Sequence, residues 1–120
     1  MELLKTLYGI NSKSGKEARI KEFVRCYLDG KGMDISEDTF GNLFITKGES
    51  QEYPCIVAHL DEVHDVEKTT LVVEGENIYA IDAQGANVGC GADDKNGVWI
   101  ALKLLETKPV LKFALFVHEE

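Results

Sequence analysis

Residues 111–120 read LKFALFVHEE, an almost unbroken apolar run set directly against a histidine and two glutamates. The run is short and rich in branched and aromatic residues, which predicts a buried strand over Val110–Val117. Upstream, Val98, Ile100, Ala101, Leu104 and Leu105 recur at helical spacing, so Lys95–Leu105 is expected to be a helix that Lys108-Pro109 ends. Further back, Pro54 opens CIVAHL, residues 55–60, which reads as another strand, central in its sheet. Strand, helix and strand in this order imply a crossover and parallel pairing.

The remaining segments fill in an α/β chain. Apolar positions at 1, 3, 4, 7 and 8 mark a short amphipathic helix. A second helix carries Ala18, Ile20, Phe23, Val24, Tyr27 and Leu28, with Ser14 and Glu17 spaced as a capping box. Met33–Glu37 and Asn42–Thr46 read as strands around a turn at Asp38–Gly41, and Thr69–Val73 with Ile78–Ile81 as a hairpin. Ala83–Gly91 is small and glycine-rich. The expected fold is α/β: a mixed, largely parallel sheet flanked by helices on both faces.

Composition narrows the classes. The 120 residues are 44% hydrophobic and 28% charged, as in one folded domain. A net charge of −8 without a basic cluster argues against nucleic acid and anionic membrane as partners. No apolar run approaches the roughly 20 residues of a membrane span, and MELLKTLYG lacks a secretory core. Cys26, Cys55 and Cys90 are odd in number and form no C-x-x-C, which favours reduced thiols in a cytoplasm.

Three polar clusters fall where strands end or a helix starts: His59-Leu60-Asp61, Asp93-Asp94-Lys95 and Glu119-Glu120. Each alone has a plain reading. A histidine at a strand end is more often a hydrogen-bonded structural residue, and Asp93-Asp94 suits a helix N-cap with an acid in the first turn. Together they matter more, because open α/β sheets gather their sites at the carboxyl ends of strands. Carboxylates crowded there repel and lose solvation, and a cation relieves both. Imidazole with carboxylates and no thiolate suits zinc, cobalt or manganese better than calcium. Asp61, two residues after His59, is positioned to accept the imidazole's second N–H.

The ordered motifs AHLDEVH (58–64), GCGADDKNG (89–97) and HEE (118–120) resemble those of the cocatalytic zinc peptidases, the family of peptidase T, carboxypeptidase G, aminoacylases and succinyl-diaminopimelate desuccinylase. INSKSGKE (10–17) and DTFGNLF (38–44) are also similar to its N-terminal region. The resemblance implies two zinc ions, with cobalt or manganese as alternatives. It assigns His59 to one metal, Asp93 to both as a bridge, Glu120 to the second, and Asp61 to the histidine. It also implies a cis peptide after Asp93. Glu119 becomes the general base for a metal-bridging hydroxide that attacks an amide carbonyl. The implied substrates are peptides or N-acyl amino acids, and the family's smaller domain implies a homodimer of the full-length parent.

Two departures from the pattern are His118, expected to be a strand residue facing away, and a short crossover between Asp93 and Glu119. The family also supplies a further acid, a late histidine and the lid or dimerisation domain, none of which this sequence contains. Residues 1–120 are therefore expected to be the N-terminal portion of a metallopeptidase catalytic domain, inactive alone. The alternative is a non-catalytic α/β module that binds a metal or partner protein through its acidic edge. Cys55, Trp99 and Phe113 read as core, Cys90 as a small buried thiol, and His64 as loop surface.

Overall fold

The computed structural model describes all residues, Met1 to Glu120. Helix α1 spans Glu2–Tyr8 and α2 Ala18–Leu28, followed by strands β1 Asp34–Glu37, β2 Leu43–Lys47 and β3 Cys55–His59. A 3-10 turn at Val66–Lys68 leads into β4 Thr70–Glu74, β5 Asn77–Ile81 and β6 Asn87–Val88. Helix α3, Ala92–Thr107, and strand β7, Leu111–Phe116, complete the chain.

The strands form two sheets. The main one runs β1-β2-β7-β3, with β3 and β7 parallel and the other neighbours antiparallel. The chain is thus α/β with a mixed sheet, but the parallel share is one pair. The β1–β2 hairpin joins β7 antiparallel, and the 70–81 hairpin pairs with β6 to form a separate three-stranded sheet. That third strand lies within the small, glycine-rich stretch 83–91. β3 is correspondingly an edge strand rather than a central one.

Strand alternation divides the main sheet into unlike faces. Leu43, Ile45, Ala58, Leu111, Phe113 and Leu115 are buried in one cluster with Ile20, Val24 and Leu28 of α2 and Val98, Ala101, Leu102 and Leu105 of α3. The opposite face holds Phe44, Ala114 and Val57 in one row, with Phe116 beside them. No helix covers it: Val57 is 60% exposed, and Phe44 and Phe116, packed edge to face, are each 37% exposed. The expected two-sided cover is therefore one-sided, because both core-lining helices spend their apolar stripes on the same face. Cys55 shares the open face and is exposed rather than core. Phe113 is core as expected, and Trp99 packs half-buried against it.

An ion pair lies inside the fold. Lys95 and Glu62 are each 1% exposed; the ammonium donates to Glu62 Oε1 at 2.6 Å and to the Ile10 carbonyl at 2.5 Å. Glu62 is itself fixed by backbone bonds, its N–H to Ser12 and its carbonyl accepting from Ser14. Burial pushes the Lys95 ammonium below its ordinary pKa, and the Glu62 carboxylate opposes that shift. The pair ties α3, the segment after β3 and the 10–14 loop together. Lys95→Met should cost about 3–5 kcal/mol, because a carboxylate stays buried without its partner. Lys95→Met with Glu62→Leu should recover much of that loss. Urea midpoints of the two variants measure the difference; equal losses would mean the pair holds nothing together.

Candidate metal centre

The site is built where β3 and β7 end side by side. Because they run parallel in register, with His59 opposite Phe116, their carboxyl ends open at the same edge. Leu60 continues the pairing for one more bond, its N–H donating to the Phe116 carbonyl at 2.7 Å. Beyond that, side chains replace the ladder. Asn42 Oδ1 accepts from the Val117 N–H at 2.9 Å. The Asp61 carboxylate accepts from the N–H groups of Glu119 and Glu120, both at 3.0 Å, one on each oxygen.

Between them stands His118 at φ 56°, a left-handed conformation unusual outside glycine. The strand has already ended at Phe116, so His118 is a turn residue near Gly15 rather than a strand residue facing away. The turn redirects the chain and sets both glutamates at the sheet edge.

Asp61 is 1% exposed and takes a third hydrogen bond, from the Ser14 hydroxyl. Burial alone would raise its pKa, but the Ser14 hydroxyl and the amides of Glu120 and Glu119 outweigh it and hold the carboxyl below its usual range. Two expectations change here. Ser14 does not cap α2; its hydroxyl is committed to Asp61, and Glu17 occupies the cap position with its carboxylate on the Gly15 N–H. His59 Nδ1 donates to the Asp61 carbonyl at 2.9 Å rather than to its carboxylate, whose nearer oxygen stands 3.4 Å away.

The third element is the start of α3. The Asp93–Asp94 peptide is cis, and both residues have non-helical backbone, so the regular helix starts after Asp94. Asp94 caps it: Oδ1 accepts from the Gly97 N–H at 3.0 Å, and Oδ2 accepts from the His59 N–H at 3.2 Å. A Cβ at position 97 would overlap that carboxylate, which explains the glycine inside a helix. One side chain thus binds helix to strand end and leaves Asp93 facing the imidazole.

His59 Nε2 lies 3.0 Å from Asp93 Oδ1 and 3.7 Å from Glu119 Oε2. Burial disfavours the charged ring, yet the Asp93 carboxylate, the Asp61 carbonyl and the charges of Asp94 and Asp61 together raise its pKa. Donor atoms of His59, Glu119 and Glu120 all lie within 4.8 Å of one another. Asp93 abuts the histidine but stands outside that tightest trio. The structure therefore brings His59, Asp61, Asp93, Glu119 and Glu120 to one edge. With Nδ1 turned to the Asp61 carbonyl, Nε2 faces Asp93 and is the ring atom that would ligate a cation, and the carboxylates supply the charge that imidazole lacks. Nitrogen and oxygen donors without thiolate fit zinc.

No protein-family model matches the chain. Solved structures do. A tripeptidase from Staphylococcus aureus superposes with a TM-score of 0.79 at 24% identity, over 98% of this chain and 35% of its own. Aminoacylhistidine dipeptidase from Vibrio alginolyticus gives 0.77 at 22% identity, over 99% of this chain and 27% of its own. Aminopeptidase PepT from Bacillus cereus gives 0.74 at 21% identity, over 98% and 35%. The chain has the fold of part of these peptidases and spans about a third of their length or less. No helix is long and apolar enough to cross a membrane.

The site makes one direct demand on Asp61. Asp61→Ala should destabilise the chain by about 1–3 kcal/mol, since two N–H groups lose their acceptor. It should also speed hydrogen exchange at the Glu119 and Glu120 amides more than elsewhere. Unchanged exchange at those two positions would mean that the carboxylate does not hold them.

Proposed function

We propose that the chain is the N-terminal portion of the catalytic domain of a zinc-dependent exopeptidase or amidohydrolase. The observation behind this reading is the convergence of His59, Asp93, Glu119 and Glu120 from three separate elements on one sheet edge. The similarity to peptidase structures supports it. So does the uncovered apolar face around Phe44, Val57 and Phe116, beside the free edge of β3, which suits further chain packing there. A peptide or N-acyl amino acid is the proposed substrate, and a second copy of the longer protein a partner.

Roles follow from chemistry and placement. His59 would hold one metal through Nε2, Glu120 would hold the second, and Asp93 would serve both. Zinc would polarise the amide carbonyl and make a nearby water acidic. Glu119 would act as the base that takes a proton from the attacking water and passes it to the departing nitrogen. Asp61 keeps the glutamates and the imidazole in place without touching substrate. Each metal would have two protein ligands in this chain, fewer than the three of a catalytic zinc site. Weak metal binding and no hydrolysis are therefore expected of residues 1–120 alone.

Calorimetric titration with zinc tests the assignment. Asp93→Ala and Glu120→Gln should each weaken binding by at least about tenfold. Glu119→Gln should leave it nearly unchanged. In a protein carrying the whole catalytic domain, Glu119→Gln should keep its metal yet lose a factor of about 100 or more in rate. Binding indifferent to Asp93 and Glu120 would overturn the reading.

A further inference from the structure

The small sheet β4-β5-β6 contributes nothing to the convergence described above, yet it stands beside it. Between this sheet, the loop after β3 and the first turn of α3 lies a cleft of about 530 Å³. Val63, Ile78, Val88 and Ala92 make its walls predominantly apolar, and Asp93 and Glu120 line the same space. No lysine or arginine lines it. The volume is within the range of about 300–1,000 Å³ for small-molecule pockets, and apolar walls with a few polar groups are usual for them.

One wall is shaped by a close approach. A Cβ at Gly89 would overlap the His64 ring, so the imidazole lies directly on the backbone between β6 and α3. His64 is half-buried there and helps define the cleft, rather than lying on loop surface.

We propose that this cleft is a specificity subsite for an apolar side chain on the residue next to the bond being cleaved. The inference rests on the metallopeptidase reading for the identity of its occupant, but the cleft itself does not need metal. A substrate carbonyl directed at His59, Asp93 and Glu120 brings its adjacent side chain to the cleft that Asp93 and Glu120 share. An aliphatic group leaves water for the surfaces of Val63, Ile78, Val88 and Ala92. An acidic side chain would find no lysine or arginine to pair with, and a basic one would lose solvation against apolar walls.

Two measurements on the 120-residue chain separate this proposal from the metal assignment. With zinc present, L-leucine hydroxamate should bind at least about tenfold more tightly than glycine hydroxamate, which carries the same chelating group without the side chain. Val88→Phe, which fills the cleft from β6, should bring that ratio close to one while glycine hydroxamate binds as before. Ala92→Leu fills it from α3 and should do the same, which guards against one variant misfolding. Without zinc, L-leucine amide should shift the methyl resonances of Val63, Ile78 and Val88, and both variants should abolish the shifts. If glycine hydroxamate fails to bind but those shifts persist, the metal reading falls and the apolar site stands. Equal affinity for the two hydroxamates, with no methyl shifts, overturns the proposal.

Discussion

A single buried carboxylate organises the edge of this sheet. Asp61 receives the amides of Glu119 and Glu120 on separate oxygens, accepts the Ser14 hydroxyl, and offers its own carbonyl to His59. Such a group would be costly to bury without donors, and here each oxygen has at least one. The consequence is geometric. The end of β7, the end of β3 and the N-terminal loop are fixed to one residue, so the two glutamates and the histidine cannot be displaced independently.

Asp94 performs a similar task from the other side. Its two oxygens join the first turn of α3 to the backbone of His59. Behind it, the Lys95–Glu62 pair anchors the same helix to the segment that carries Asp61. Polar groups buried beneath the site thus set distances among the exposed groups above it. This arrangement separates labour: Asp61, Asp94, Glu62 and Lys95 hold, while Asp93, Glu119 and Glu120 stand exposed around the mostly buried His59 ring.

The sequence made the main features legible where residue pattern and physics agree. The apolar run of 111–116 and the periodicity of 95–105 gave a strand and a helix at nearly the right bounds, and the histidine and acids at their ends are the groups that converge at the sheet edge. What could not be read there was long-range. Nothing local says that the apolar face of Phe44, Val57 and Phe116 lies open, since an uncovered strand has the same composition as a covered one. Ser14 has the spacing of a helix cap, but a buried carboxylate 47 positions away outcompetes the helix for its hydroxyl. Asn42 also looked like the start of a strand, whereas its side chain supports the turn at Val117. Both residues act through partners distant in sequence, and a local pattern carries no trace of them.

Paramagnetic broadening by manganese tests the central claim most directly, because it reports where a cation sits without requiring turnover. Substoichiometric manganese added to the isotopically labelled chain should broaden the amide signals of His59, Asp93, Glu119 and Glu120 first, together with those of Asp61 and Asp94. The acidic residues Glu74 and Glu76 of the hairpin should stay sharp at that ratio. Uniform broadening across the acidic surface, or broadening that starts at the hairpin, would contradict a metal centre built on Asp61.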